Sequence, residues 1–129
     1  MSKDRLKANE RKTTTADEAV RSIGRGKTIF IGTGCGEPQA LVKALIDESE
    51  NLGDNEIVQT LSLGLMPYNE EKFNDRFRLN AFFIGPNVRH AVNDGRADYT
   101  PVNLSQIARM FDSGKIVIDV AMIQVSPPD

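Results

Sequence analysis

The stretch KTIFIGTGCGEPQALVKAL, residues 27–45, constrains the fold more than any other part of the chain. Thr28 to Gly32 is β-branched and aromatic and bounded by glycine on both sides, so it reads as a short buried strand. Gly32, Gly34 and Gly36 alternate ahead of Pro38, which suits the first position of a helix whose inward stripe is Leu41, Ala44 and Leu45. Strand, glycine loop and helix in that order begin a parallel crossover, and ligands of open parallel sheets gather at the carboxyl ends of the strands. Bare backbone there can approach a ligand closely, and the free N–H groups of the helix start favour a carboxylate, a phosphate or a thioester oxyanion. The competing reading is a tight turn that needs its glycines for sterics alone.

The flanking sequence repeats the alternation of strand and helix. Thr15 with Glu18 forms a capping-box pattern ahead of Ala16, Ala19, Val20 and Ile23, predicting a first helix that ends near Gly24. Glu56 to Ser62 and Leu79 to Ile84 are further strand candidates, with an indeterminate polar segment at Asn69 to Arg76. Val88, Ala91 and Val92 mark a short helix closed by Gly95, and Tyr99 to Val102 is a weak fourth strand. Asn103 and Gln106 resemble another capping box, followed by Leu104, Ile107, Ala108 and Phe111 at helical spacing before Gly114. Ile116 to Val125 reads as a long strand, apolar on both faces and therefore expected in the middle of the sheet. The predicted fold class is α/β: three layers, a mostly parallel sheet with helices on both faces. Residues 1–14 read as a solvated lead-in and residues 15–129 as one domain. SPPD directly after a buried strand leads us to expect further chain or a partner beside it.

Composition narrows the function classes. Sixteen basic and eighteen acidic residues in 129 give a formal charge of −2, with no basic field to recommend a nucleic acid or an anionic membrane. One cysteine, Cys35, cannot make an internal disulfide framework, and the N-terminus lacks the apolar core of a signal peptide, so a cytoplasmic location is expected. GRGKT at 24–28 resembles the end of a phosphate loop, but Arg21 stands where the first glycine is needed and the loop precedes its strand. GTGCGE misses the dinucleotide fingerprint because Gly36 arrives one position early.

Glu37 has three readings at this point: nucleophile, general base, or a carboxylate that caps the helix start and shapes the site, the last being the commonest role for an acid there. Cys35 has no obvious base nearby and reads as a small residue that fits. His90 falls on the polar side of its helix and reads as a surface or interface residue. No histidine, cysteine and carboxylate set has metal-ligand spacing, so no metal is expected.

Three segments, FIGTGCGEPQALVKAL, RLNAFFIGPNVRHAVNDGRADYTPVNLSQIARMF and IDVAMIQVSPPD, resemble in order and spacing the N-terminal part of the acetyl-CoA hydrolase/transferase family. That family includes 4-hydroxybutyrate, acetate and butyrate CoA-transferases. VNDGRADYTP and DVAMIQVSPPD are each distinctive, and the glycine loop agrees with them. The resemblance implies a CoA-transferase type α/β domain, normally one of two in tandem in a much longer chain. It implies transfer of CoA between short-chain carboxylic acids through an acyl anhydride and a glutamyl-CoA thioester, the coenzyme A thioester being a substrate and not a cofactor. The attacking glutamate is implied to lie in a C-terminal domain outside this sequence, so no catalytic residue is expected in these 129 residues and the isolated chain is expected to be inactive. What carries over is a substrate-binding wall: Gly32, Thr33, Gly34, Gly36, Glu37 and Pro38 from the first glycine loop, and Ser126, Pro127 and Pro128 after the last strand. The expected partners are an acyl-CoA, a short-chain carboxylate and the C-terminal domain, with a homodimer conceivable from the apolar flank at Ile116 to Val125 and no nucleic acid or membrane. The alternatives are a binding module without turnover, and a sugar-phosphate isomerase-like enzyme, for which no acid and base residues are present.

Overall fold

The computed structural model of the chain describes residues 13–126. The order is α1 (Ala16–Arg21), β1 (Thr28–Ile31), α2 (Gln39–Asp47), β2 (Asn55–Gln59), β3 (Phe77–Ala81), α3 (Pro86–Asn93), β4 (Ala97–Tyr99), α4 (Leu104–Asp112) and β5 (Val120–Met122), with short 3-10 turns between. The five strands run in the order β4-β3-β2-β1-β5, and every pairing is parallel. The fold is therefore the α/β sheet with helices on both faces that the sequence predicts.

The topology follows from chirality. β1 to β4 add stepwise in one direction, so right-handed crossovers put their helices on one face, and the jump from β4 back across β1 to β5 puts α4 on the other. Side-chain alternation bears this out. Ile29, Ile31, Ile57 and Leu79 point into a large core closed by Val20, Leu45 and Ala91 of α1, α2 and α3. Phe30 and Val58, one residue out of phase, point into a smaller core with Phe82, Ile107 and Phe111 under α4. Phe111 meets the ring of Phe30 edge-on at 5.6 Å between centroids. A fully buried aliphatic side chain of this kind contributes about 1.5–3 kcal/mol by leaving water, which makes the first face the principal source of stability.

Local signals act as the residues suggest at several joints. Thr15 and Glu18 form both bonds of their capping box. Gly95 and Gly114 close α3 and α4 with φ of +72° and +71°. Four expectations need correction. Pro38 is the N-cap of α2 and not its first residue, so the helix starts at Gln39. The fourth strand is Ala97–Tyr99, ahead of the Tyr99 to Val102 expected. Asn103 holds the N-cap position of α4 without any side-chain bond, and Leu104 and Ala108 are exposed, because that helix rests on the sheet chiefly through Ile107 and Phe111.

The largest correction concerns the last strand. Only Val120–Met122 of the Ile116 to Val125 run pairs, and it pairs at the edge of the sheet, not its centre. Ile116 and Ile118 are spent packing beneath α4, and the ladder begins only where Asp119 bonds Thr28 through both its backbone N–H and its carboxylate. Val117, Ile123 and Val125 are left exposed. Among the described residues no helix is long and apolar enough to cross a membrane.

Candidate functional site

The order in which strands are added reverses between β1 and β5, which remain parallel. There the chain leaving β1 enters α2 on one face, while the chain leaving β5 has come from α4 on the other, so the two loops part and open a crevice at the carboxyl ends of the strands. A hollow of about 300 Å³ occupies that place, lined by Pro38, Ala40 and Leu41 from one loop and Ile123, Gln124 and Val125 from the other. The N–H groups of Ala40 and Leu41, in the first turn of α2, find no carbonyl partner among the described residues. They are the unpaired donors that every helix start presents.

The loop leaving β1 is a compact 3-10 turn, Gly34–Gly36. Gly32 is buried beneath it, donating its N–H to the Met122 carbonyl at 2.8 Å and so tying the loop to β5. A Cβ on Gly32 would lie 2.9 Å from the Gly36 carbonyl oxygen and 3.4 Å from that of Met122, which is why no side chain fits there. Thr33, Cys35 and Gly36 are exposed above it, Gly34 is half-buried with φ +59°, and Glu37 and Pro38 are buried.

Glu37 does not cap α2, as the sequence reading favoured. The helix start has no side-chain cap bond. Its carboxylate, 4% exposed, turns instead toward the loop leaving β2, accepting from Ser62 Oγ at 2.8 and 3.0 Å and from the Gly64 N–H at 3.3 Å. The same two loops are joined at their outer ends: Gly34 N–H donates to the Leu61 carbonyl at 3.0 Å, Leu61 N–H donates to Thr33 Oγ1 at 2.9 Å, and the Thr33 hydroxyl donates back to Leu61. Beneath lies a second buried pair, Tyr68 OH donating to Gln59 Oε1 at 2.8 Å. Burial, and then the nearby Glu37 charge, pushes the Tyr68 phenol well above its usual range, so it is a neutral donor at any ordinary pH.

Of the expected wall, Pro38 alone lines the hollow; Gly32, Thr33, Gly34, Gly36 and Glu37 belong to the turn that precedes it. Ser126 is exposed beyond Val125, and Pro127 and Pro128 lie outside the described residues. Cys35 and His90 are both exposed. Among the described residues no group of three or more histidine, cysteine or carboxylate side chains can hold a metal. Sequence reasoning missed Ser62, Gly64, Gln59 and Tyr68. The available signal was the polar run Gln59, Thr60 and Ser62, all buried, at the carboxyl end of a strand whose middle is apolar.

Comparison with known proteins adds independent findings. The family model for the acetyl-CoA hydrolase/transferase N-terminal domain matches residues 1–129. A 4-hydroxybutyrate coenzyme A transferase of Clostridium kluyveri is 40% identical over 118 residues, which are 92% of this chain and 28% of that protein. A succinyl-CoA:acetate/propanoyl-CoA:succinate CoA transferase of Fasciola hepatica is 36% identical over 90% of this chain and 24% of its own length. The chain thus spans about a quarter of the length of the curated relatives it matches. Among solved structures, RipA from Yersinia pestis superposes with a TM-score of 0.75 at 29% identity, over 90% of this chain and 29% of that one. A 4-hydroxybutyrate CoA-transferase from Porphyromonas gingivalis shares the fold, with a TM-score of 0.68 at 21% identity over 95% of this chain and 27% of that one.

Proposed function

Because this chain belongs to the acetyl-CoA hydrolase/transferase family, we propose that its switch-point crevice is one wall of an acyl-CoA and carboxylate site in a CoA-transferring enzyme. The observation that carries this reading is the coincidence of the β1–β5 hollow with the α2 start, where the Ala40 and Leu41 N–H groups are unpaired among the described residues. Unpaired backbone donors in residues that line a concave, partly apolar place suit a group that is apolar at one end and anionic at the other. Short-chain carboxylic acids and their thioesters are such groups. We assign Gly32, Thr33, Gly34, Gly36, Glu37, Pro38 and Ser126 to this wall, and Pro127 and Pro128 on the family resemblance of the sequence alone.

The bond-making residue is assigned elsewhere. A glutamate in a second α/β domain of the intact polypeptide attacks the thioester carbonyl carbon, CoA leaves as thiolate, and a mixed anhydride forms. The thiolate returns to the glutamyl carbonyl, releasing the acyl group as a carboxylate and leaving a glutamyl-CoA thioester for the incoming acid. This domain contributes fixed N–H donors for the oxyanion that develops at each attack and helps exclude water, whose entry turns transfer into hydrolysis. The exposed apolar side chains on either side of the crevice, Leu63 and Leu65 after β2 and Ile123 and Val125 after β5, are suited to seat that second domain.

The test compares this chain with the intact polypeptide. The intact protein should move CoA from acetyl-CoA to butyrate or 4-hydroxybutyrate. The isolated 129-residue chain should not do so, yet excess butyrate should shift the amide resonances of Gly34 to Gly36, Ala40 and Leu41. Turnover by the isolated chain would overturn the assignment of the nucleophile. Shifts confined to residues away from the crevice would overturn the site. Resonance shifts here with an inactive intact protein would instead favour a binding module without turnover.

A further inference from the structure

We propose that Glu37 is a positioning residue for CoA transfer: its buried carboxylate clasps the loop after β2 to the glycine turn after β1 and so fixes the donors that face the acyl group. This rests on the crevice being the acyl site.

A carboxylate almost wholly removed from water is retained only when its charge is met by donors. Here every bond Glu37 makes through its side chain goes to one short segment, the Ser62 hydroxyl and the Gly64 N–H. No lysine, arginine or histidine pairs with it among the described residues. The segment has the shape for this contact. A Cβ on Gly64 would come within 3.1 Å of Glu37 Oε2 and 2.6 Å of Gln39 Nε2, so a bare α-carbon is what lets the loop close on the carboxylate.

The placement distinguishes a clasp from a nucleophile. The single Ser62 proton is shared between the two carboxylate oxygens, and the side chain faces the β2 loop, whereas the hollow lies on the β5 side of the same turn. An attacking oxygen has to face the substrate. At the other end of the turn, Thr33 and Gly34 are bonded to Leu61. The turn Gly34–Gly36 is therefore held between two attachments to a single neighbouring loop; the Gly34 and Gly36 N–H groups are spent on Leu61 and Thr33, so the donors it steadies are the Cys35 N–H and those of the α2 start that follows Glu37.

The experiment uses the intact polypeptide that carries this domain. Glu37→Gln preserves size but sets an amide against donors, Ser62→Ala removes the hydroxyl without burying a new polar group, and the two are combined. We expect Glu37→Gln to lower kcat about 10–100-fold, with KM for acetyl-CoA little changed and a larger share of the thioester lost to water. Ser62→Ala should cause a smaller fall of the same kind, and the double variant should be no worse than Glu37→Gln alone, because both break one contact. Glu37→Asp, one methylene short, should not restore activity.

Wild-type kcat and an unchanged product ratio in Glu37→Gln would overturn the proposal. So would independent, additive effects of the two substitutions, or complete inactivity of Glu37→Gln beside a fully active Ser62→Ala, which is the pattern of a nucleophile. If Glu37→Gln does not fold, Ser62→Ala decides alone through its product ratio. Amide exchange at Gly34 and Gly64 separates this proposal from the functional reading. An inactive wild type with both amides protected defeats the acyl-site assignment and leaves the clasp as a structural contact, while an active wild type with both amides unprotected defeats the clasp.

Discussion

The loop that leaves β1 and the loop that leaves β5 face each other across the crevice, yet they are held in opposite ways. The first is bonded along its length: to β5 through Gly32, to the β2 loop through Thr33 and Gly34, and again through Glu37. The second, from Ile123 to Ser126, is exposed throughout and carries its apolar side chains outward. For the site proposed above, the fixed side would supply the geometry and the open side would receive the second domain.

The comparison breaks most readily at Gly32. Alanine there forces a methyl group against two backbone carbonyls, neither of which can move without opening the turn or the β1–β5 pairing. Overpacking of this kind costs about 1–3 kcal/mol, and the rigidity of the atoms in contact puts Gly32→Ala near the top of that range. Urea unfolding of the chain should show it as a lowered midpoint at constant slope. An unchanged midpoint would mean that the first loop is as yielding as the second.

Thr33→Val should cost less, about 1 kcal/mol, because it removes the hydroxyl that bonds both polar groups of Leu61 while keeping the side chain's shape. On the open side the same measurement should read almost nothing. Val125→Ser alters a residue that is 73% exposed, and surface changes away from special features stay within about 0.5 kcal/mol. A loss at Val125 as large as that at Gly32 would show that the second loop is packed in solution.

How much of this was legible beforehand differs between the two loops for physical reasons. The first loop is local: apolar run, glycines, proline and helix stripe are contiguous, so residues 27–45 disclose strand, turn and helix before any contact is known. The capping box at Thr15 and Glu18 is readable for the same reason. Ser62 meets Glu37 across 25 residues of chain, and nothing in either neighbourhood announces the other. Glu37 was singled out by its place after the glycines, but its partner was not, and the commonest local role, a helix cap, is not the one it plays. The β5 segment misled for a different reason. An unbroken apolar run signals burial without saying whether the burial is in a ladder or under a helix. Ile116 and Ile118 take the second course.

The finest contrast lies at the entrance to β5. Asp119 accepts the Thr28 N–H at 2.9 Å, with Lys27 Nζ 3.5 Å from its other oxygen. The Thr28 bond, and after it the Lys27 charge, hold its carboxyl below the usual range. A group whose folded pKa is depressed stabilises the fold above its unfolded value near 4 and loses that contribution as pH falls through the folded value. The site is exposed, so the effect should escape an unfolding curve and be read locally. Between about pH 6 and about pH 3 the exchange protection of the Thr28 amide, corrected for intrinsic rate, should fall relative to that of Ile31. Asp119→Ala should start at the lower protection and show no such fall, since no carboxylate remains to titrate. If Thr28 keeps its protection in the variant, the strand edge is held by the β1–β5 ladder alone, and the second loop begins from a firmer root than its exposure suggests.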